Sequence, residues 1–281
     1  MAGTLFLCAT PIGNLGDMTN RVIETLRSAD LIAAEDTRNS RKLLEIFQIH
    51  TPMTSYHEHN QTEKGRRLIG QLLDGKNIAL ITDAGTPAIS DPGEDLVSLC
   101  RENDIPVTSL PGAAACITAL TLSGLPTGRF CFEGFLPANK KERSRILEEL
   151  RQESRTMILY EAPHHLQKTL ADLQEALGER RVAVCRELTK KFETVMPTTL
   201  REAALFYETQ EPRGEYVLVV EGKSFREKRR EEIAAWEGMT VARHLGYYEA
   251  QGLDRKAAMK QVAKDRGTAK REIYAAIQNQ K

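Results

Sequence analysis

Four short apolar runs, each followed by a segment with helical spacing, constrain the fold of this chain more than any other feature. TLFLCAT (4–10), LIAAED (31–36), NIALIT (77–82) and IPVTSL (105–110) read as strands. Between them Val22, Ile23 and Leu26, then Leu43, Leu44 and Phe47, then Leu68, Ile69, Leu72 and Leu73 recur at helical intervals. In a βαβα succession each helix returns the chain across the sheet, so the strands run largely parallel and the expected class is α/β. A second set follows: RFCFEGF (129–135), RTMILYEA (155–162), RVAVCREL (181–188) and EYVLVVEG (215–222). FETVMPTT (192–199) adds a further candidate strand, and helical segments fall near 140–153 and 164–177. LSGLPTG (122–128) has the Gly and Pro content of a connection. The expected division of the 281 residues is therefore 1–122, 123–225 and 226–281.

The last section differs in character. KSFREKRREE (223–232) reads as a charged linker or frayed helix. DRKAAMKQVAKDRG and TAKREIYAAIQ read as two helices, with Gly267 at the first C-cap and Thr268 at the next N-cap. Ala257, Val262, Ala263, Ile273, Tyr274 and Ile277 are the expected inner residues of this helix–turn–helix-like pair. The chain balances 39 Lys+Arg against 39 Asp+Glu. From Arg226 onward, however, 13 Lys+Arg face 8 Asp+Glu, a net of +5, which leaves the first 225 residues at −5. A basic tail on an acidic body suits a polyanionic partner; a solvated helical face or a helical lid is the alternative. Cys8, Cys100, Cys116, Cys131 and Cys185 are scattered and never in a CxxC pair, which reads as buried free thiols in a reducing cytosol. The expected location is cytoplasmic: no apolar run approaches a membrane span, and MAGTLFLCATPIG lacks the basic flank of a signal peptide.

Three strand-end loops are the candidate ligand site. ITDAGTPAISDPG (81–93) follows one strand and precedes a helix. Asp91 is the expected N-cap, Pro92 the expected N1 residue, and Glu94 and Asp95 favour the first turn. The preceding DAGTP is not needed for helix initiation and is free to hold a ligand. ATPIGNLGD (9–17) and SLPGAAACITALTLSG (109–124) share its position, and ligands sit at the carboxyl ends of strands in open α/β sheets. None of the three loops carries Lys or Arg. GxGxxG and GxxxxGK[ST] are both absent, which argues against a nicotinamide dinucleotide site and a nucleoside triphosphatase. The loops suit a neutral or cationic small ligand.

Elsewhere, Glu35 and Asp36 end a strand, with Arg38, Arg41 and Lys42 just beyond. The carboxylates could orient a hydroxyl and the cations hold phosphate; a capped helix with surface cations explains the same residues. PANKKERSR, with Lys140 and Lys141, and CRELTKKFE, with Glu187, Lys190 and Lys191, are further candidate phosphate contacts. Lys256, Lys260, Lys270 and Arg271 supply cations in the tail. His57 and His59 form an HxH pair that nothing nearby completes, so no metal site is expected.

Taken together, TPIGNLGDMT, LIAAEDTR, ITDAGTPAISDPG, LPGAAACITALTLSGLP, RFCFEGFLP and CRELTKKFET resemble the ribosomal RNA small subunit methyltransferase I family of the tetrapyrrole methylase superfamily. The match runs from Leu5 to about Gly222 and extends to a helical C-terminal extension. The resemblance implies a two-domain tetrapyrrole-methylase-like α/β fold with S-adenosylmethionine in the interdomain cleft. It also implies a homodimer that methylates the ribose 2′-hydroxyl of cytidine 1402 in 16S ribosomal RNA. By the family's pattern Pro11, Gly85, Thr86, Ile89, Ser90, Gly112, Ala113 and Ala114 approach the cofactor, with Leu188, Tyr216 and Val217 from the second domain. Thr86 stands where corrin-modifying relatives carry Asp, and Asp83 is the substitute carboxylate. A methyl transfer to an alcohol benefits from a base. Asp36 is the favoured candidate, Glu35 its neighbour, and Glu187 and Lys190 the rivals; a Lys needs a pKa lowered by burial to serve. The competing functions are methylation of a corrin or porphyrin-like molecule, and non-catalytic RNA binding in ribosome assembly. The basic tail argues against the first; the second lacks affinity for S-adenosylmethionine.

Overall fold

The computed structural model describes residues 1–224, 227, 233 and 236–278. Five strands form the first sheet: β1 (Leu5–Cys8), β2 (Leu31–Ala34), β3 (Met53–Ser55), β4 (Ile78–Ile81) and β5 (Val107–Leu110). Their order is β3-β2-β4-β1-β5 and all neighbours are parallel. The helices between them are α1 (Asn20–Ser28), α2 (Thr37–Ile46), α3 (Gln61–Leu73) and α4 (Glu94–Glu102). Successive strand side chains point to opposite faces, and each face has its own helical cover. Leu5, Leu7, Ile78 and Leu80 pack with Leu68 and Leu72 of α3 and Leu96 of α4. Cys8, Ala79 and Ile81 pack with Val22 and Leu26 of α1 and Leu44 of α2. Strand β3 was not expected: its three half-buried residues, Met-Thr-Ser, lack an apolar run because it is a short edge.

The second sheet comprises β6 (Phe130–Phe135), β7 (Thr156–Glu161), β8 (Arg181–Arg186), β9 (Thr194–Thr199) and β10 (Tyr216–Val220), in the order β6-β7-β10-β8-β9. Only β6 and β7 pair in parallel; β10 runs antiparallel to both β7 and β8, and β9 antiparallel to β8. Here α6 (Lys140–Arg151), α7 (Pro163–Leu177) and α8 (Leu200–Thr209) cover one face through Leu150, Leu166, Leu170, Leu173 and Leu200. Helix α8 starts with a full capping box, Thr199 to Glu202, a sequence signature that the strand reading of 192–199 obscured. The opposite face, with Ile158, Val217 and Val219, is covered by α5 (Ala115–Leu122). Because α5 precedes the expected break near 122, both sheets belong to one compact unit, Met1–Gly222.

Lys223–Lys281 form the second unit. The break expected at 225–226 and most of the charged stretch 223–232 lie outside the described residues. Three helices, Val241–Ala250, Arg255–Arg266 and Lys270–Gln278, share a core of Leu245, Ala258, Val262, Ala263 and Ile273. Gly267 ends the middle helix in the left-handed conformation at φ 63°. The next helix begins at Lys270, so Thr268 is not its N-cap. Ala257 is exposed and Ala258 buried instead, while Tyr274 is 55% exposed. The first of the three helices was not anticipated. Among the described residues no helix is long and apolar enough to cross a membrane.

The loops after β1 and β5 touch closely at Gly112, where an added Cβ would stand 2.6 Å from the Cβ of Ala9. Gly112→Ala should therefore cost about 1–3 kcal/mol of stability in urea unfolding through overpacking. An unchanged midpoint would show that the loops separate freely.

Candidate active site

The sheet order sets β1 beside β4, although β1 connects toward β2 and β4 connects across β1 to β5. A crevice opens at such a switch point, beyond the carboxyl ends of the strands. Its two loops are laced together. The Thr10 N–H donates to the Gly85 carbonyl at 2.8 Å, and the Gly85 N–H returns to Thr10 at 3.0 Å. The Thr86 hydroxyl donates to the Ala113 carbonyl at 3.0 Å and ties in the loop after β5. Gly85 sits at φ 81°, where a side chain is strained, and a Cβ there would lie 3.4 Å from Ile12 Cγ2.

A cavity of about 440 Å³ occupies this position. From the first sheet it is lined by Ile12, by Ala84–Thr86 and Ile89–Asp91, and by Ala114 and Ala115 at the start of α5. From the second it is lined by Phe135, by Tyr160–Pro163 where β7 passes into α7, and by Leu188 and Glu215–Val217. The rings of Phe132 and Phe135 meet Tyr160 edge-on at 4.9 and 5.6 Å. The Tyr160 hydroxyl accepts the Cys116 N–H at 3.1 Å, which fixes the aromatic wall to α5. Ala88, Ser90, Glu187 and Thr189 all have positive φ, between 51° and 67°, and all belong to the loops that form this cavity. Such strain costs on the order of 1–3 kcal/mol per residue and concentrates where a site demands a fixed backbone.

The cavity lining has no Lys or Arg and three carboxylates, Asp91, Glu161 and Glu215. Two of the three are committed. Glu161 accepts the Thr169 hydroxyl at 2.5 Å and the Ala162 N–H at 2.8 Å. Behind it the buried Arg143 donates to Thr169 at 2.8 Å and to Asp172 at 2.6 Å. Glu215 accepts from Lys190 Nζ at 2.6 Å. Asp91 makes no hydrogen bond or ion pair among the described residues. Burial, then the charges of Glu35 and Asp83, push its pKa up to about 7.

The expected cofactor residues divide. Gly85, Thr86, Ile89, Ser90, Ala114, Leu188, Tyr216 and Val217 line the cavity. Pro11, Asp83, Gly112 and Ala113 do not: Asp83 accepts from Asn39 at 3.1 Å, Ala113 from Thr86, and Gly112 packs on Ala9. Ile12, one residue after Pro11, reaches the cavity instead. Asp91 is not the N-cap of α4; that position is Gly93, and the helix starts at Glu94.

The four expected bases fare differently. Asp36 caps α2 by accepting the Arg38 N–H at 2.8 Å, and its carboxylate is chelated by the Arg38 guanidinium at 3.0 and 3.2 Å. The Arg38 hydrogen bonds hold its pKa down to about 2, and it does not line the cavity. A carboxylate so stabilised is a poor proton acceptor. Glu35 also lies off the cavity, accepting the Asp83 N–H at 3.4 Å, with its pKa raised by burial. Lys190 bridges Glu187 at 3.0 Å and Glu215 at 2.6 Å. Burial alone would lower its pKa, but the two carboxylates outweigh burial and hold it above the ordinary lysine value. Lys190 is thus a cation, the reverse of what a lysine base needs. Burial likewise pushes Glu187 up, yet the Glu215 N–H and Lys190 leave it below the usual range. Arg38, Arg41, Lys42, Lys140, Lys141, Lys191, Lys256, Lys260, Lys270 and Arg271 are all exposed. Sequence reasoning passed over Tyr160, Glu161, Pro163 and Glu215, although YEAP at a strand end resembles the first-half loops in kind.

Two sheets with a cation-free cavity at the β1–β4 switch point make an α/β protein built to hold a small neutral or cationic ligand. The family model described as Tetrapyrrole (Corrin/Porphyrin) Methylases matches residues 4–204. The chain is similar to solved structures of that fold: diphthine synthase, with a TM-score of 0.64 at 16% identity, covering 82% of this chain and 95% of that one. It is also similar to uroporphyrin-III C-methyl transferase from Thermus thermophilus complexed with S-adenyl homocysteine, with a TM-score of 0.54 at 17% identity, covering 78% and 97%. At the level of sequence it is 51% identical over 272 residues to ribosomal RNA small subunit methyltransferase I of Halalkalibacterium halodurans, covering 97% of this chain and 93% of the relative. The chain belongs to the ribosomal RNA small subunit methyltransferase I family.

Asp36→Ala should destabilise the protein near neutral pH by removing the α2 cap, whereas Asp36→Asn keeps most of the cap. A depressed folded-state pKa contributes stability above the unfolded value of 3.8 that is lost as pH falls toward about 2. The thermal-melt difference between wild type and Asp36→Ala should therefore shrink below pH 4. A difference independent of pH would exclude a role for the carboxylate charge.

Proposed function

We propose that this chain is an S-adenosylmethionine-dependent ribosomal RNA methyltransferase that acts on the ribose 2′-hydroxyl of cytidine 1402 in 16S RNA of the small ribosomal subunit. The observation that carries the reading is the cavity: it lies at the switch point, carries carboxylates and lacks cations. A cavity of about 440 Å³ falls within the range of small-molecule sites, roughly 300–1,000 Å³. Ala84, Gly85, Ala114 and Ala115 leave the backbone open to a bulky ligand, and Glu161 and Glu215 complement a positive one. When bound, the cofactor supplies an activated methyl group on a cationic sulfur. The residues of this chain hold it, orient the ribose and exclude water; placing the reacting atoms in line accounts for much of the rate. Glu187 and Lys190 fix the loop that carries Leu188, and Pro11, Asp83, Gly112 and Ala113 support the lining from behind.

The RNA preference rests on the similarity to ribosomal RNA small subunit methyltransferase I together with the exposed cations. Arg38, Arg41 and Lys42 on α2, and Lys140 and Lys141 at the start of α6, contact phosphate; Lys191 is a further contact. Lys256, Lys260, Lys270 and Arg271 are the further phosphate contacts of the second unit. The active form is a homodimer in the cytoplasm, and 1–122, 123–225 and 226–281 are its functional divisions. The direct test is transfer of label from S-adenosylmethionine to small subunits from a strain lacking the enzyme. Label in the 2′-O-methyl of cytidine 1402 is expected, and a catalytically silent protein would overturn the reading.

Two substitutions probe its parts. Gly85→Arg should fill the cavity and abolish S-adenosylmethionine binding in calorimetry while circular dichroism stays native; unchanged affinity would exclude the loop. Combined Lys256→Glu, Lys260→Glu, Lys270→Glu and Arg271→Glu should weaken RNA binding and flatten its salt dependence, because fewer counterions are released. Cofactor affinity should be unaffected, and full RNA affinity in this variant would remove the second unit from the RNA site.

A further inference from the structure

Three carboxylates line the cavity, and they are not equivalent. Both oxygens of Glu161 are occupied, by Thr169 and by the Ala162 N–H. Glu215 neutralises Lys190. Asp91 alone among them keeps its lone pairs unshared among the described residues. The remaining lining residues offer no rival: they include no His, Lys or Cys, Tyr216 holds its hydroxyl against the Arg213 N–H at 3.2 Å, and Tyr160 holds its own against the Cys116 N–H at 3.1 Å with its proton bound more tightly than usual by burial. Asp91 also sits on a backbone held in an uncommon conformation, with Ser90 before it at φ 61° and Ala88 at φ 67°. The Pro92-Gly93 pair that follows starts α4 without using the Asp91 side chain. The side chain is thus left for the cavity.

We infer that Asp91 is the catalytic residue that takes the proton from the ribose 2′-hydroxyl. The inference rests on the methyltransferase reading above. In the step, the 2′-O–H bond breaks and its proton passes to a carboxylate oxygen of Asp91. The pair left on the ribose oxygen forms the new O–C bond to the methyl group, and the pair of the breaking S–C bond stays on sulfur. The products are the methylated ribose, a neutral thioether and protonated Asp91, which returns its proton to water. The groups that face Asp91 are Glu35 at the end of β2, Asp83 in the loop after β4 and Tyr160 of β7. The two carboxylates add to burial in favouring its neutral form. An acceptor whose pKa lies near 7 is half ionised at neutral pH and well matched to general-base work.

The same environment gives the proposal a signature independent of turnover. A carboxyl raised from 3.8 in the unfolded chain to about 7 in the fold loses stability as pH rises between those values, because the unfolded chain releases its proton first. Asp91→Asn carries no such charge. It should melt above wild type at pH 8 and together with it at pH 4.

The full-length variant should bind S-adenosylmethionine within twofold of wild type in calorimetry. It should methylate small subunits ~10²–10⁴-fold more slowly, the range for lost general-base help. The acid limb of kcat/KM, near pH 7 in wild type, should vanish in Asp91→Asn, and Asp91→Glu should restore part of the rate with a displaced limb. Near-normal turnover in Asp91→Asn, or an unchanged acid limb, would overturn the assignment. So would a loss of cofactor affinity matching the loss of rate, which would make Asp91 a cofactor contact instead. If Asp91→Asn is too unstable to assay, Asp91→Glu decides alone: a limb that stays at the wild-type pH overturns the proposal. Wild-type protein that neither binds S-adenosylmethionine nor transfers methyl would sink the methyltransferase reading itself, a result distinct from any of these.

Discussion

Helix α5, ACITALTL, has no polar face beyond its two threonines, and it buries Cys116, Ala119 and Leu120 against Ile158, Val217 and Val219 of the second sheet. Everything about the cavity follows from that contact. The helix begins where the first sheet's last loop ends, so its N-terminal alanines stay with the first sheet while its body belongs to the second. Small residues at Ala113, Ala114 and Ala115 keep the two halves close, and Ile12 and Leu188 join the same apolar cluster from either side. Residues distant in sequence are thereby brought to one opening. Without the seam, the strand-end loops of the first sheet would face water, and Tyr160 would have no Cys116 N–H to accept.

Around that seam the chain has concentrated unfavourable local choices. Non-glycine residues at positive φ, a lining free of cations and an unpartnered acid are each destabilising, and they occur together. The remainder of the sheet architecture is regular enough to support them, with parallel strands covered on both faces and a capping box on α8. Arg143, buried under α6 and α7 and bonded to Thr169 and Asp172, extends this support into the second half. It gives Glu161 a fixed orientation at the cavity wall, so one acidic group there is structural while another is free to react.

How much of this the sequence disclosed depended on periodicity. Eight of the nine anticipated strands are apolar runs bounded by turn residues, and the ninth, β9, is a half-exposed edge. Strand β3 lacks such a run, and the helix Val241–Ala250 hides its apolar stripe behind aromatic and charged residues. That the loop after β4 borders a cavity was legible from Gly85 and its strand-end position. The placement of Asp91 in the cavity was not, since Ser-Asp-Pro-Gly is also a good helix start, and only the fold shows Gly93 in the cap. Asp36 shows the opposite case: a carboxylate at a strand end suggested chemistry, and in the fold it lies off the cavity with the Arg two residues later folded back on it. Tyr160, Glu161 and Glu215 could be found only once the second sheet was placed against the first.

The order β6-β7-β10-β8-β9 has a consequence during synthesis. Strand β10 lies at the centre of its sheet yet is the last of the ten to leave the ribosome. The first sheet is complete once Leu110 has emerged, whereas β7 and β8 each present a bare edge until Tyr216–Val220 arrives between them. At roughly 5–20 residues per second, the nascent second sheet waits about 2–7 seconds between the end of β8 at Arg186 and the end of β10 at Val220. For that interval the chain exposes two unpaired edges, the geometry most prone to wrong pairing with a neighbour. Closure by a single five-residue strand then completes the sheet and buries α5 in one event.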